Sequence, residues 1–122
     1  MDITTPIFHS SDYKIAAPDP LIAAKYCPKF DGHPIVALFS NTCFHLSVYG
    51  KNLYRFTLAP DAKVLEMDLQ MYEQVRLSHA YRAGLFTAAR ACGIQAFRRS
   101  HSGSDTSVVV LDFEIIENWT LV

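Results

Sequence analysis

The apolar residues of this chain fall into short runs separated by polar and turn-forming residues, a pattern typical of several short strands. Residues 34–39 (PIVALF) form a continuous apolar run, which predicts a strand buried on both faces. Residues 107–112 give the strongest strand signal in the chain. The predicted strands are residues 5–10, 34–39, 52–58, 62–67, 94–97 and 107–112, and residues 115–121 extend or follow the last of them.

Two short helices are predicted from residues that cap helix ends. Asp19 is placed to cap a helix that begins with a proline and runs through residue 26. Ser40 or Asn41 is placed to cap a second helix, which ends at Tyr49 with the following glycine as its left-handed stop.

The longest predicted helix begins after Asp68 and ends at Gly93. Apolar and aromatic side chains recur there at spacings of three and four residues, which defines one buried stripe: Tyr72, Val75, His79, Ala83 and Phe86. On this stripe His79 is interpreted as a core histidine with its hydrogen bonds satisfied. The segment is either one helix or two helices divided at Gly84.

The order of these elements predicts an α+β domain with more strand than helix. The chain has no internal repeat, low-complexity tract or flexible linker, so residues 1–122 are interpreted as a single domain.

Composition and charge argue against several classes of protein function. Eleven Lys and Arg residues against twelve Asp and Glu residues give a net charge of -1, which argues against nucleic-acid or membrane binding driven by bulk charge. No apolar stretch is long enough for a transmembrane helix, and the first residues lack the features of a signal peptide. Three cysteines without a CxxC spacing predict neither a disulfide framework nor a zinc site. A cytoplasmic location is expected.

Few residues carry a chemical signal by themselves. His9 ends the first predicted strand and precedes two serines, so it either presents an imidazole to a ligand or hydrogen-bonds locally. Arg98 and Arg99, with His101 nearby, either meet a phosphate or belong to a solvated loop over residues 98–106. The sequence contains no metal-ligand spacing, no glycine-rich phosphate loop and no nucleophile elbow.

The order of the local patterns is more informative than any one of them. The segment IFHSS resembles the "YHGT/S" opening of ADP-ribosyltransferase-like domains of the His-Tyr-Glu branch. HPIVALFSNTCFHLSVYG is similar to their next strand and helix, and LYRFTLAPDAKVLEMD to the strand pair that follows. AARACGIQAF and TSVVVLDFEII resemble the ending of many small members. The resemblance implies a compact domain of split antiparallel β-sheets with one long helix and short flanking helices.

The resemblance also implies a site for NAD, as substrate and without a metal. The first-strand histidine and its neighbour hold the ribose and nicotinamide, and an aromatic residue of the second element stacks on the nicotinamide ring. These roles would fall to His9 and Ser10, and to Phe39 and Ser40, with Tyr49 as the aromatic residue that closes the helix. Either Arg98 or Arg55 would meet the pyrophosphate.

One position departs from the family pattern. The catalytic glutamate of the family is replaced by Ser107, and Asp105 precedes it by two residues, which would place both side chains on the same strand face. The implied catalytic residues are therefore His9, Ser107 and Asp105.

Three functions are consistent with these patterns. The first is an ADP-ribosyltransferase, or an NAD glycohydrolase of the same fold, that acts as a toxin, effector or phage-encoded modifier of a protein or nucleic acid. The second is a catalytically inactive version that binds a ligand or partner, which the missing glutamate favours. The third is an unrelated interaction domain such as an antitoxin or immunity protein.

Overall fold

The structure, a computed structural model, describes residues 5–26, 35–38, 50–100 and 106–122. These residues form an α+β domain. The strands are β1 (Ile7–Ser11), β2 (Ile35–Leu38), β3 (Asn52–Leu58), β4 (Val64–Glu66), β5 (Ala96–Ser100), β6 (Thr106–Val110) and β7 (Ile116–Leu121). The helices are α1 (Pro20–Tyr26), α2 (Leu69–Leu77) and α3 (His79–Ala91), with a 3-10 turn at Phe113–Ile115.

Several predicted elements are confirmed. Strand β3 has the predicted bounds. Helix α1 begins at Pro20, and Asp19 caps it because its Oδ1 accepts a hydrogen bond from the Leu21 amide at 2.9 Å. Asp68 caps α2 in the same way, with its Oδ1 2.8 Å from the Met71 amide nitrogen. The helix predicted to follow Ser40 or Asn41 lies outside the described residues.

The seven strands are hydrogen-bonded in the order β4-β5-β6-β2-β1-β3-β7, and all neighbours are antiparallel except β4 and β5. In a flat sheet β3 and β4 would lie five strand spacings apart, about 24 Å. The chain from Leu58 to Val64 spans at most about 21 Å when fully extended. A turn between Ala59 and Ala62 shortens it further. The sheet therefore curls, and its halves β4-β5-β6 and β1-β3-β7 form two layers joined through β2.

The apolar core has two parts, one on each face of the curled sheet. The inner cluster lies between the layers and takes residues from both: Ile7, Phe56, Leu58, Ala96, Val108, Val110 and Ile115. The helix-side cluster joins the sheet to α2 and α3: Met67, Val75, Phe86, Ala89, Phe97, Val109 and Leu111. Strand alternation explains the division, since consecutive residues of β6 enter different clusters.

The long helix predicted over residues 69–92 is two helices, and the break is at Ser78 and not at Gly84. Ser78 has an extended backbone, ends α2 and caps α3 by accepting the Tyr81 amide on its Oγ at 3.1 Å. A serine that can satisfy a helix N-terminus favours a new helix start more than an interior glycine does. Gly84 lies inside α3.

The predicted stripe is correct at two of its apolar positions and wrong at its histidine. Val75 and Phe86 are buried, whereas His79 is exposed. The buried polar residue is Arg82, whose Nη1 donates to the Val75 carbonyl at 2.7 Å and whose Nη2 lies 3.2 Å from His79 Nδ1. An arginine's long aliphatic stem allows burial of this kind when the guanidinium finds acceptors.

Residues 98–100 were predicted to begin a polar loop, but they continue strand β5. Arg99 pairs with Ser107 and Ser100 with Thr106 across the antiparallel ladder to β6. Ladder hydrogen bonds to an adjacent buried strand outweigh the polar side chains at these positions. Thr106, the last residue of the predicted loop, begins β6, and residues 101–105 lie outside the described residues.

Candidate functional site

A cavity of about 760 Å³ lies between the inner face of the sheet and the segment that follows β1. We call residues 12–19 of that segment the strap. The sheet side of the cavity is formed by His9, Phe56, Phe113, Ile116 and Trp119, and the other side by the strap and the start of α1. Most of the lining side chains are apolar, so the cavity suits a ligand with a flat or aliphatic part.

The predicted site residue His9 lies on the wall of this cavity. It occupies the third position of β1, so strand alternation directs it to the same face as the buried Ile7. The His9 side chain is half-buried, and its ring centroid lies 6.3 Å from that of Trp119. An imidazole placed in this way can donate or accept a hydrogen bond inside a largely apolar cavity.

Trp119, the only tryptophan of the chain, is a site residue that was not predicted from the sequence. It stacks on Tyr54 with ring centroids 4.8 Å apart and an interplanar angle of 16°, and it lies 5.5 Å from the Phe56 ring. These three rings come from two neighbouring strands, β3 and β7. A lone tryptophan in the last strand was the available signal, but only the pairing of β7 with β3 brings it to His9 and the cavity.

Tyr54 and Trp119 both form hydrogen bonds with the backbone of one strap residue, Ile15. The Ile15 amide donates to Tyr54 Oη at 2.6 Å, and Trp119 Nε1 donates to the Ile15 carbonyl at 2.9 Å. Both backbone groups of Ile15 are thus satisfied by side chains of the opposite wall. We call these two hydrogen bonds the clasp, and they fix the strap over the cavity.

Removal of the Tyr54 hydroxyl tests the clasp. Tyr54→Phe keeps the stacked ring but leaves the Ile15 amide without its acceptor, so we expect the free energy of unfolding to fall by about 1–2 kcal/mol. Amide exchange of the strap, followed by mass spectrometry, is expected to accelerate. Tyr81→Phe, at an exposed tyrosine of α3, is the control and should change neither quantity. Unchanged exchange in Tyr54→Phe would show that the clasp does not hold the strap.

Ser10, predicted beside His9, is directed away from the cavity. Its neighbour in the strand faces inward, so Ser10 faces the other side, where its Oγ donates to the Gly50 carbonyl at 2.7 Å. Only 9% of its surface is exposed. Its role in the described structure is to join the end of β1 to the residue that precedes β3.

Ser107 is not brought together with His9. It lies on the same face of β6 as Val109, which belongs to the helix-side cluster, and its Oγ is 3.5 Å from the hydroxyl of Tyr72 on α2. His9 lies on the inner face, so the sheet itself separates the two side chains. The remaining predicted residues Phe39, Ser40, Tyr49 and Asp105 lie outside the described residues.

Arg98 does not line the cavity either. Its Nε donates to Glu66 Oε2 at 2.7 Å, and the other oxygen of Glu66 accepts the Ser100 amide at 3.1 Å. Burial raises the pKa of the Glu66 carboxyl, but the Ser100 amide and the Arg98 guanidinium outweigh it and hold the pKa below its ordinary value. The guanidinium is therefore engaged in joining β4 to β5.

Within the described residues there is no group of three or more histidine, cysteine or acidic side chains that could hold a metal ion. Nor does that part of the chain contain a helix long and apolar enough to cross a membrane.

Comparisons of the chain with protein families, with curated proteins and with solved structures found no match. The candidate site therefore rests on its own geometry.

Proposed function

We propose that this protein binds NAD in the cavity beneath the strap and cleaves the bond between nicotinamide and ribose. It would act as an ADP-ribosyltransferase on a protein or nucleic acid, or as an NAD glycohydrolase of the same fold. The observation that carries the proposal is the position of His9 on the wall of a cavity lined by Trp119. The two-layer arrangement of the sheet supports it as well.

The cavity has the properties that such a substrate requires. Its volume of about 760 Å³ lies within the usual range for small-molecule sites, roughly 300–1,000 Å³. The apolar and aromatic wall suits the flat nicotinamide ring, and His9 supplies a hydrogen-bonding group for a ribose hydroxyl.

The chemistry makes modest demands on the protein. Cleavage of the N-glycosidic bond develops positive charge on the ribose and releases neutral nicotinamide. The ribose carbon then forms its new bond to a nucleophile of the acceptor in a transferase, or to a water molecule in a glycohydrolase. Orientation of the ribose contributes to such a step without a strong acid or a metal. In this chain His9 would orient the ribose, and the clasped strap would cover one side of the cavity.

A second candidate is the catalytically inactive domain that binds a nucleotide or a partner without cleaving NAD. The position of Ser107 favours it, because the residue at the family's glutamate position faces the helices. Asp19 is the only carboxylate among the described residues lining the cavity, and its Oδ1 already accepts the Leu21 amide.

The decisive measurement is nicotinamide release from NAD by the purified protein, with and without cell lysate. Release that needs lysate would identify a transferase, and release without it a glycohydrolase. His9→Ala is expected to abolish release while the free energy of unfolding changes by no more than about 1–2 kcal/mol, since His9 is only half-buried.

The control for this experiment is His79→Gln, at an exposed histidine on α3, which should release nicotinamide at the wild-type rate. Equal rates in wild type and His9→Ala would overturn the assignment of His9. The absence of release, together with calorimetric binding of NAD, would select the inactive domain. The absence of both release and binding would overturn the assignment of NAD.

A further inference from the structure

One cation lines the cavity without a described partner. Lys14 lies in the strap, is exposed, and is part of the cavity wall. No ion pair joins it to another of the described residues. An exposed ammonium at the edge of an apolar cavity is available to an anionic part of a ligand that extends out of that cavity.

The arginines suggested by the sequence are less suitable. Arg98 is held by Glu66 at 2.7 Å and does not line the cavity. Arg55 precedes the inward-facing Phe56 on β3, so strand alternation directs it to the outer surface, where it is exposed. Of these three cations, only Lys14 shares the cavity with His9.

The backbone on either side of Lys14 is held by hydrogen bonds. On one side the Tyr13 amide donates to Ser11 Oγ at 3.1 Å. On the other side Ile15 is clasped by Tyr54 and Trp119. The strap therefore keeps the Lys14 α-carbon at the cavity even though the side chain itself is mobile enough to adjust to a ligand.

The Asp19 carboxylate is engaged by the N-terminus of α1. Asp19 also lines the cavity, but its Oδ1 accepts the first free amide of α1, from Leu21, and that contact offsets part of its negative charge.

We infer that Lys14 is the specificity-determining cation of the cavity and receives the pyrophosphate of a nucleotide whose sugar and ring occupy the space beside His9. The inference rests on the proposed function and assigns a residue to it. It predicts that the protein discriminates between ligands that contain a pyrophosphate and those that do not. NAD and ADP-ribose belong to the first class, and nicotinamide riboside belongs to the second.

The test is isothermal titration calorimetry with these three compounds, using wild type, Lys14→Met and Lys63→Met. Loss of one charged hydrogen bond is expected to weaken NAD and ADP-ribose binding about tenfold in Lys14→Met. Binding of nicotinamide riboside should stay unchanged. The difference between wild type and Lys14→Met should shrink as the salt concentration rises, because salt screens exposed charges. Lys63, an exposed lysine outside the cavity wall, is the control and should leave all three affinities unchanged.

The outcomes separate the two proposals. If wild type and Lys14→Met bind NAD equally well, Lys14 does not receive the pyrophosphate, whereas the proposed function stands. If wild type binds none of the three compounds, the proposed function fails and the assignment of Lys14 fails with it. An equal loss of affinity for all three compounds would indicate that Lys14 maintains the shape of the cavity and does not bind the pyrophosphate. Thermal unfolding of Lys14→Met should match wild type because the lysine is exposed.

Discussion

Phe86→Ala is expected to lower the free energy of unfolding by about 3–5 kcal/mol, the usual cost of deleting a buried phenylalanine ring. Phe86 is 2% exposed and stacks on Phe97 with ring centroids 5.8 Å apart. The two rings join α3 to β5 within the helix-side cluster. Alanine would leave a cavity between helix and sheet that rigid neighbours cannot fill, so both the transfer energy and the packing contacts are lost.

Denaturant unfolding followed by circular dichroism measures this loss. Leu77→Ala, at the exposed end of α2, is the control because its side chain is 75% exposed and its removal should change stability by no more than about 0.5 kcal/mol. If Phe86→Ala lost as little as the control, the packing of α3 against the sheet would be wrongly assigned.

Gly50→Ala is expected to cost about 3 kcal/mol, the upper part of the range for overpacking. A β-carbon at Gly50 would lie 2.3 Å from the Ser11 carbonyl carbon and 2.6 Å from the Asp12 nitrogen. Both are backbone atoms at the point where β1 passes into the strap, so they cannot move aside as the end of a flexible side chain would. The hydrogen bond from Ser10 to the Gly50 carbonyl would be disturbed as well.

The matched control is a second glycine of the same chain. A β-carbon at Gly84 would meet nothing within 4 Å, and the residue lies inside α3. Gly84→Ala is therefore expected to raise the free energy of unfolding by about 0.5–1 kcal/mol, because alanine favours a helix interior. Thermal and denaturant unfolding of both variants, measured side by side, show whether the two substitutions change the free energy of unfolding in opposite directions. A neutral or stabilising Gly50→Ala would contradict the close approach of Gly50 to the end of β1.

The sequence predicts that Gly50 has to be a glycine, but for the wrong reason. The sequence predicts a left-handed conformation for Gly50 at a helix end, whereas among the described residues Gly93 is the glycine with positive φ, at +80°, directly after the cap of α3. Gly50 is required by the approach of another strand. A helix stop is visible in local sequence, but a close contact between residues 39 positions apart is not.

Local interactions determined what the sequence could predict. The Asp19 and Asp68 caps depend on amides two and three residues further along the chain. The bounds of β3 and the apolar runs that predict β2 and β6 depend on the order of apolar and polar residues within a few positions. His9 was identified as a candidate because it ends an apolar strand beside polar residues. These features depend on stretches of a few residues, and the structure confirms the two caps, the bounds of β3 and the presence of β2 and β6.

The candidate site was decided by tertiary structure. The strand order β1-β3-β7 places Trp119 of the last strand near His9 of the first. The clasp joins Ile15 to two side chains that lie 39 and 104 positions away in the chain. Strand alternation, applied to two different strands, sends His9 to the inner face and Ser107 to the helices. The sequence by itself determined the elements and their apolar faces, since these depend on local periodicity. Only the tertiary structure decided which residues share a cavity, because that depends on the strand order β1-β3-β7 and on the path of the strap across these strands.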